Sequence, residues 1–339
     1  MQQSVSLSTS ILMLAASLGR YNRICLRQLT ATYYYATCFI VSYNKANMLT
    51  GNIVALITPM LDNGDVDLCS LQGLVEYHIQ SNTTALAVLG TTGESCTFTQ
   101  DEHLAVVKAV LDMAQGRIAI IAGSGSNSTR NAIKLSQELH KLGVTAGLCV
   151  TPYYNKPTQE GLYQHYKAIT EACDLPQILY NVPSRTGCDI SNEIVVRLAE
   201  LNAIIGIKDA TGDLTRLTQL KPFLPDDFLL YSGDDATGCE FMLQGGNGVI
   251  SVTSNVAADA MSRMCSLALA GKRQEATEIN NKLMRLHQDL FVEANPIPVK
   301  WACNQLSLTA TANLRLPLIE LDQQYHAQVS AALALAVDA

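Results

Sequence analysis

One lysine of this chain stands alone in an apolar segment. Lys208 directly follows the run 203–207 (AIIGI), which contains no other charged residue. Lysine is rarely buried without a partner or a purpose. Removal of its amine from water favours the neutral form, whose lone pair can attack a carbonyl carbon. The position is equally compatible with a structural ion pair between Lys208 and a carboxylate such as Glu94 or Asp209.

Hydroxyl-bearing residues at the ends of other apolar runs favour the interpretation of Lys208 as a nucleophile over the ion pair. Tyr180 and Tyr154 carry phenols that stay protonated at neutral pH and can still transfer a proton. Thr91 and Thr92 offer hydroxyls and backbone N–H groups to a small carboxylate. Because imine formation requires proton transfers without a permanently charged base, this set predicts a class I, lysine-dependent aldolase.

A second carboxylate could be bound by Arg185, in the sequence SRTG at 184–187, because a guanidinium matches a carboxylate bidentately. A solvated loop arginine explains the same residue equally well. The glycine-rich stretch 123–127 (GSGSN) lacks both the Rossmann spacing and a P-loop lysine, so no nucleotide is predicted there. Gly233, at the end of the seventh apolar run, is a further candidate for the substrate site.

The elements that would position these residues recur as short apolar runs, each followed by a turn and a stretch of helix length. The runs are 53–57, 85–89, 118–122, 147–150, 177–180, 204–207, 228–231 and 248–252. Most are continuous rather than alternating, as is typical of parallel strands covered on both faces. The pattern predicts an α/β protein with a (β/α)8 TIM barrel, whose active site lies at the carboxyl ends of the strands.

The segment 67–80 is predicted to be a helix that begins at Asp67. Its apolar face would contain Leu68, Leu71, Val75 and Ile79. The histidine beside that face, at position 78, is expected to be a packed or surface residue rather than a ligand.

Three regions are predicted along the chain. Residues 48–271 would form the catalytic barrel, and residues 272–339, which read as helices without strands, a small C-terminal helical domain. Residues 1–47 contain no Asp or Glu and five of the 13 tyrosines. They read either as a targeting-like extension or as the product of a start assigned too far upstream; we favour the second, with Met48 as the initiator.

Charge and cysteine content exclude several functions. The net charge of −7 provides no basic surface for nucleic acid. The ten cysteines form no CxxC pair and no metal-ligand spacing with the six histidines, so no metal site is predicted. The apolar stretches near the N-terminus are shorter than the roughly 20 residues that span a bilayer. A cytoplasmic protein that does not span a membrane is expected.

Five motifs together resemble the dihydrodipicolinate synthase family of pyruvate-dependent Schiff-base aldolases, in its bacterial form. They are GTTGES at 90–95, VTPYYNKPTQEGLYQH at 150–165, LPQILYNVPSRTGCD at 175–189, GIKDATG at 206–212 and NPIPVKWAC at 295–303. The resemblance covers nearly everything from Met48 onward and includes no counterpart to residues 1–47. It implies condensation of pyruvate with L-aspartate 4-semialdehyde in lysine and diaminopimelate biosynthesis, without a cofactor.

The resemblance also implies a role for each candidate residue. Lys208 would form the imine, and Tyr180 would donate and accept protons. Thr91 would link Tyr180 to Tyr154, which would reach the site of a neighbouring subunit in a homotetramer built as a dimer of dimers. The substrate-binding positions would be Thr92 and the backbone near Ile250 for pyruvate, Arg185 for the carboxylate of the semialdehyde, and Gly233.

Many bacterial members of that family are inhibited by lysine at a site between subunits. The corresponding positions here are Ser95, Cys96, Gln100, His103, Asn127, Asn131 and Tyr153. Inhibited members typically have His in place of Gln100 and Glu in place of Asn131, so weakened feedback is expected. Asp209 also stands where Glu more often follows the catalytic lysine.

Two alternatives remain at this level. A sibling enzyme such as N-acetylneuraminate lyase would share Lys208 and Tyr180 but cleave a sugar acid, whereas Tyr154 and the loop with Arg185 favour the synthase. A catalytically silent barrel that binds a small ligand is the alternative from another functional class.

Overall fold

The computed structural model describes residues 49–337 and shows a closed barrel of eight parallel strands, as predicted. The strands are β1 Gly51–Ala55, β2 Ala85–Val88, β3 Ala119–Gly123, β4 Ala146–Val150, β5 Gln177–Asn181, β6 Ile204–Asp209, β7 Leu229–Ser232 and β8 Gly248–Ser251. Each strand pairs with its neighbour in sequence, and β8 pairs with β1. Such closure brings the carboxyl ends of all eight strands to one mouth.

Twelve α-helices follow or accompany the strands in the described residues. They are α1 Leu68–Gln80, α2 Gln100–Ala114, α3 Thr129–Leu142, α4 Gln159–Ala172, α5 Pro183–Thr186, α6 Asn192–Ala199, α7 Leu214–Leu220, α8 Asp235–Leu243, α9 Ala258–Leu269, α10 Arg273–Asp289, α11 Ile297–Gln305 and α12 Gln323–Val337. Short 3-10 helices occupy Ser95–Thr97, Lys221–Phe223 and Thr253–Asn255.

Alternate side chains of each strand enter two different cores. Ile53 and Ala87 belong to a cluster built from strand residues that fills the barrel, whereas their neighbours Val54 and Leu86 pack with residues of the surrounding helices. Side chains of a strand alternate between its faces, and here both faces are buried. This explains why the apolar runs in the sequence are continuous.

The first helix departs from its predicted face. Asp67 caps it as predicted, accepting hydrogen bonds from the backbone N–H groups of residues 69 and 70. Leu68, however, is 51% exposed, and the buried face contains Leu71, Leu74 and Val75. The prediction for Leu68 was wrong because the first residue of the helix lies beside the cap, where the turn points toward solvent.

The C-terminal helices share a core with the barrel. Leu286, Trp301 and Val329 belong to the same buried cluster as Val54 and Leu86 of the strands. No strand follows β8 in the part of the chain that the structure describes. The division into a barrel and a helical domain at residue 271 stays a prediction, and the expectation for residues 1–47 lies outside the described residues.

No helix between residues 49 and 337 has the length and apolar character needed to cross a membrane.

Candidate active site

Lys208 lies near the carboxyl end of β6 and is only 5% exposed. Parallel pairing places it in register with Tyr180 of β5 on one side and Tyr231 of β7 on the other. Its Nζ lies 4.4 Å from the centre of the Tyr180 ring. The amine of Lys208 and the side chain of Tyr180, whose phenol is predicted to exchange protons with the Lys208 adduct, therefore lie on adjacent paired strands.

The two carboxylates that could have paired with Lys208 have other partners. Glu94 Oε1 lies 2.6 Å from Nζ of Lys300, and both side chains are buried. Asp209 Oδ2 lies 3.1 Å from Nε of Arg216, and Oδ1 accepts a hydrogen bond from Asn181 Nδ2 at 3.1 Å. Within residues 49–337 no carboxylate lies within ion-pair distance of Lys208, so the ion-pair interpretation was wrong.

Asp209 has a structural role that its neighbours define. Burial raises the pKa of its carboxyl, while Arg216 and the hydrogen bonds from Asn181 and Thr211 oppose that rise. The side chain thus ties β6 to β5 and to α7, and holds the strand that carries Lys208. This contact set gives the residue after the lysine a positional function.

Gly233, at the end of β7, leaves room for the lysine side chain. A Cβ at this position would lie 2.8 Å from Cε of Lys208 and 2.6 Å from Cβ of Ala210. Both distances are shorter than carbon–carbon contacts allow. The absence of a side chain at position 233 therefore lets Lys208 adopt its present direction.

The loop after β2 brings Thr91 and Thr92 to the same mouth. Thr92 is buried, and its Oγ1 accepts a hydrogen bond from Nδ2 of Asn295 at 2.9 Å. Thr91 lines a cavity of about 490 Å³ together with Tyr180 and Arg185. Arg185 is exposed on α5 and donates from Nη2 to the backbone oxygen of Asn295 at 3.1 Å.

Tyr154 stands apart from this group, whereas Ile250 belongs to the same buried cluster as Tyr180. Tyr154 is 89% exposed and does not line the cavity, and its φ of 74° is in the left-handed region. No hydrogen bond within residues 49–337 joins its phenol to Thr91 or Tyr180. Ile250 is buried in β8, opposite Ile53 of β1. The predicted proton relay from Tyr180 through Thr91 to Tyr154 is therefore not completed within a single chain.

Comparison with known proteins identifies this arrangement. The model of the dihydrodipicolinate synthetase family matches residues 48–336. The chain belongs to this family. It is 57% identical, over 84% of its length and 98% of theirs, to 4-hydroxy-tetrahydrodipicolinate synthases of Psychromonas ingrahamii and Escherichia coli. The described fold also resembles the chloride-inhibited dihydrodipicolinate synthase of Acinetobacter baumannii complexed with pyruvate, at 53% identity and a TM-score of 0.84, covering 85% of this chain and 99% of that one.

The positions predicted for lysine regulation surround the same cavity. It is lined by Ser95, Cys96, Gln100, His103, Asn131 and Tyr153 in addition to Thr91 and Tyr180. Asn127 does not line the cavity, and its Nδ2 donates to the backbone oxygen of Tyr153 at 3.2 Å. Among the described residues that line the cavity there is no Asp or Glu, and Arg185 is the one formally charged side chain. An ammonium group would find no carboxylate there.

His103 is a neutral member of this lining. Burial lowers the pKa of its imidazole to about 4, although a hydrogen bond with the backbone of Gly123 opposes the shift. At neutral pH it can therefore hydrogen-bond a ligand without contributing charge.

Two residues of the site were missed from the sequence. Asn295 contacts both Thr92 and Arg185, and Lys300 pairs with Glu94 two positions after Thr92. Both lie in the motif NPIPVKWAC, which marked the family but was given no role. Lys300 carried the same signal as Lys208, a single charge in an apolar segment, and could have been singled out by that rule.

Proposed function

We propose that the protein condenses pyruvate with L-aspartate 4-semialdehyde to give 4-hydroxy-tetrahydrodipicolinate, the first committed step of lysine and diaminopimelate biosynthesis. The observation that carries this proposal is Lys208, buried at the barrel mouth beside Tyr180, with both nearby carboxylates engaged by other residues. Relatives that are 57% identical over almost their full length carry that activity in their names.

The first half of the reaction uses the amine of Lys208. The Nζ attacks the carbonyl carbon of pyruvate, a C–N bond forms, and the carbonyl oxygen leaves as water after it has taken up protons. Tyr180, whose ring centre lies 4.4 Å from Nζ, relays protons from the amine to the departing oxygen. The methyl carbon of the imine then loses a proton and becomes a nucleophilic enamine.

The second half joins the two substrates. The enamine carbon attacks the aldehyde carbon of the semialdehyde, and the aldehyde oxygen becomes a hydroxyl. The amine of the same substrate then adds to the imine carbon and displaces Lys208, which closes the ring. Arg185 receives the substrate carboxylate, while Thr92 and the backbone at Ile250 hold pyruvate. Gly233 provides the space in which Lys208 moves.

Trapping tests the mechanism directly. Borohydride should reduce the imine formed with pyruvate, and peptide mapping should find the mass increase on Lys208. Absence of an adduct would favour a ligand-binding barrel without catalysis. A coupled assay with pyruvate and aspartate semialdehyde should show turnover, whereas turnover of N-acetylneuraminate alone would assign the chain to the sibling enzyme.

Assembly completes the proposed relay. Tyr154 is exposed in one chain, so Thr91 and Tyr180 would meet the Tyr154 phenol of a neighbouring subunit in a homotetramer built as a dimer of dimers. A tetramer mass in solution supports this arrangement, and so does a loss of activity in Tyr154→Phe that is restored when it is mixed with a second inactive variant, Tyr180→Phe. A fully active monomer would overturn it.

Feedback by lysine is proposed to be weak. The cavity contains Gln100 and Asn131 and no carboxylate from the described residues, so the lysine ammonium gains no ion pair. Titration of activity with L-lysine should give half-inhibition only at concentrations well above those of sensitive relatives. The variant Asn131→Glu should strengthen inhibition, and unchanged inhibition in that variant would count against the assignment of this site.

The remaining proposals concern the ends of the chain and its location. Residues 48–271 form the catalytic barrel and 272–339 a helical domain, with Met48 as the initiator and the cytoplasm as the location. Mass spectrometry of the mature N-terminus checks the start, since peptides from residues 1–47 would contradict it.

A further inference from the structure

Asn295 lies outside the barrel yet contacts two residues assigned to the substrates. It stands between α10 and α11 and is 5% exposed. Its Nδ2 donates to Oγ1 of Thr92 at 2.9 Å, and its backbone oxygen accepts from Nη2 of Arg185 at 3.1 Å. One residue thus joins the group proposed to hold pyruvate to the group proposed to hold the semialdehyde.

The direction of the first hydrogen bond determines what Thr92 can do. A threonine hydroxyl has one hydrogen to donate and two lone pairs to accept. Because Asn295 donates to the oxygen, the hydroxyl hydrogen of Thr92 stays available, and no residue between 49 and 337 accepts it. The hydrogen can therefore be donated to a carboxylate, which accepts hydrogen bonds only.

The second hydrogen bond restrains a long side chain. Arg185 is exposed and forms no ion pair within the described residues, so its guanidinium would otherwise sample many rotamers. The contact with the backbone of Asn295 fixes one Nη2 hydrogen and leaves the other N–H groups for a carboxylate. Because the acceptor is the backbone, this contact survives substitution of the Asn295 side chain.

The side-chain amide of Asn295 contributes little to the stability of the fold, so its role is not structural support. Its Oδ1 is buried and has no hydrogen-bond partner among the described residues, a state that disfavours the folded protein. The same two segments are held together independently by the buried pair of Lys300 and Glu94, 2.6 Å apart. Loss of the amide should therefore leave the loop and α11 in place.

We infer that Asn295 is a positioning residue, which directs the hydroxyl hydrogen of Thr92 to the carboxylate of pyruvate and orders Arg185 for the carboxylate of the second substrate. The inference rests on the proposed function, since it takes Thr92 and Arg185 as the substrate-binding groups. It adds a residue of the C-terminal segment to the machinery at the barrel mouth.

The test combines Asn295→Ala with Thr92→Val and measures trapping by borohydride against pyruvate concentration. Asn295→Ala should raise the pyruvate concentration for half-maximal trapping about tenfold, the scale of one hydrogen bond. In the Thr92→Val background the same substitution should change it less than about twofold, because the hydroxyl that it directs is gone. The inference would be overturned if the two substitutions multiplied their effects on this concentration in the double variant, or if Asn295→Ala alone left the concentration unchanged.

Steady-state kinetics supply a second criterion. The KM for pyruvate should rise more than the KM for the semialdehyde in Asn295→Ala, because the backbone contact with Arg185 remains. A general loss of structure would instead lower kcat or change both constants together. Asn304→Ala removes an amide from α11, the helix that follows Asn295, where it donates to the backbone of Thr309, and should leave both KM values unchanged.

The two hypotheses fail in different ways. If the native protein gives no adduct on Lys208, the proposed function is wrong. If the native protein gives the adduct and Asn295→Ala traps pyruvate with the native half-saturation, only the role of Asn295 is wrong.

Discussion

Two lysines within residues 49–337 are buried, and they differ in what surrounds them. Lys208 is 5% exposed, at the mouth of the barrel, with a tyrosine ring beside its amine and no carboxylate within reach among residues 49–337. Lys300 is 1% exposed, in α11, with Glu94 at 2.6 Å. Burial is therefore common to both, and the partner distinguishes a candidate nucleophile from a structural cation.

The structural pair has its own electrostatic cost. Burial lowers the pKa of Lys300, and the attraction of Glu94 acts in the opposite direction. Glu94 is further held by the backbone N–H of Arg315, which donates to Oε2 at 2.9 Å. A buried ion pair of this kind fixes two segments relative to each other, at a desolvation cost that its geometry must offset.

The largest expected effect separates the two lysines by chemistry. Lys208→Met should reduce turnover by about 10⁴-fold or more and abolish the trapped adduct, because the proposed nucleophile is removed. Lys300→Met should still form the adduct on Lys208 wherever the protein is folded. A pyruvate adduct on another lysine of the Lys208→Met variant would contradict the assignment of Lys208 as the nucleophile.

The next effect separates them by stability. Lys300→Met should lower the free energy of unfolding by about 3–5 kcal/mol, because Glu94 is left buried and unpaired. Replacement of both residues, Glu94→Leu with Lys300→Met, should recover much of that loss. Urea unfolding followed by circular dichroism measures the difference, and an equal loss in the single and double variants would contradict this account.

A smaller effect sharpens the description of the space around Lys208. Gly233→Ala should cost about 1–3 kcal/mol in transition-state or folding free energy, because its methyl group would overlap Cε of Lys208 and Cβ of Ala210. The control is Gly73→Ala in α1, where a Cβ meets nothing within 4 Å, and helix propensity predicts slight stabilisation. Equal activity together with equal free energy of unfolding in the two variants would refute the steric role of Gly233.

The smallest effect extends the comparison to a buried base without a carboxylate partner. His78 hydrogen-bonds Thr83 through Nδ1, and burial lowers its pKa to about 3. Between pH 6.5 and 3 the unfolded chain therefore binds a proton that the folded protein does not, so stability falls with falling pH by roughly 1.4 kcal/mol per unit. In His78→Asn that slope should decrease by up to this amount; an unchanged slope would contradict the neutral buried state.

Much of the fold was predictable because it depends on local patterns. All eight strands were found from continuous apolar runs, although β1 begins two residues before the predicted run and ends two residues before its end. Its end was misplaced because the buried apolar residues Leu56 and Ile57 continue beyond the strand, which ends at Ala55. Leu68 shows a related limit. Hydrophobic periodicity predicts which face of a helix is buried, but it does not predict whether burial extends to the first residue of the helix.

The site was predictable only where its residues follow strand ends. Lys208 and Tyr180 lie side by side as predicted, because the barrel fixes where carboxyl ends lie, and their catalytic roles stay predictions. Asn295 was not, because its contact with Thr92 joins residues 203 positions apart and its motif has no periodic pattern. Lys300 displayed the same pattern as Lys208, and only the tertiary position of Glu94 distinguishes them.

The pair of Glu94 and Lys300 has a consequence for the order in which the protein is made. Glu94 leaves the ribosome 206 residues before the lysine that neutralises it. A nascent chain that has completed β8 at Ser251 holds all eight described strands, yet the loop of Thr91 and Thr92, proposed to bind pyruvate, still lacks the support of α11. Translation that stops short of residue 295 should therefore yield a barrel without a working mouth, and catalytic competence should arise only as the last segment is released.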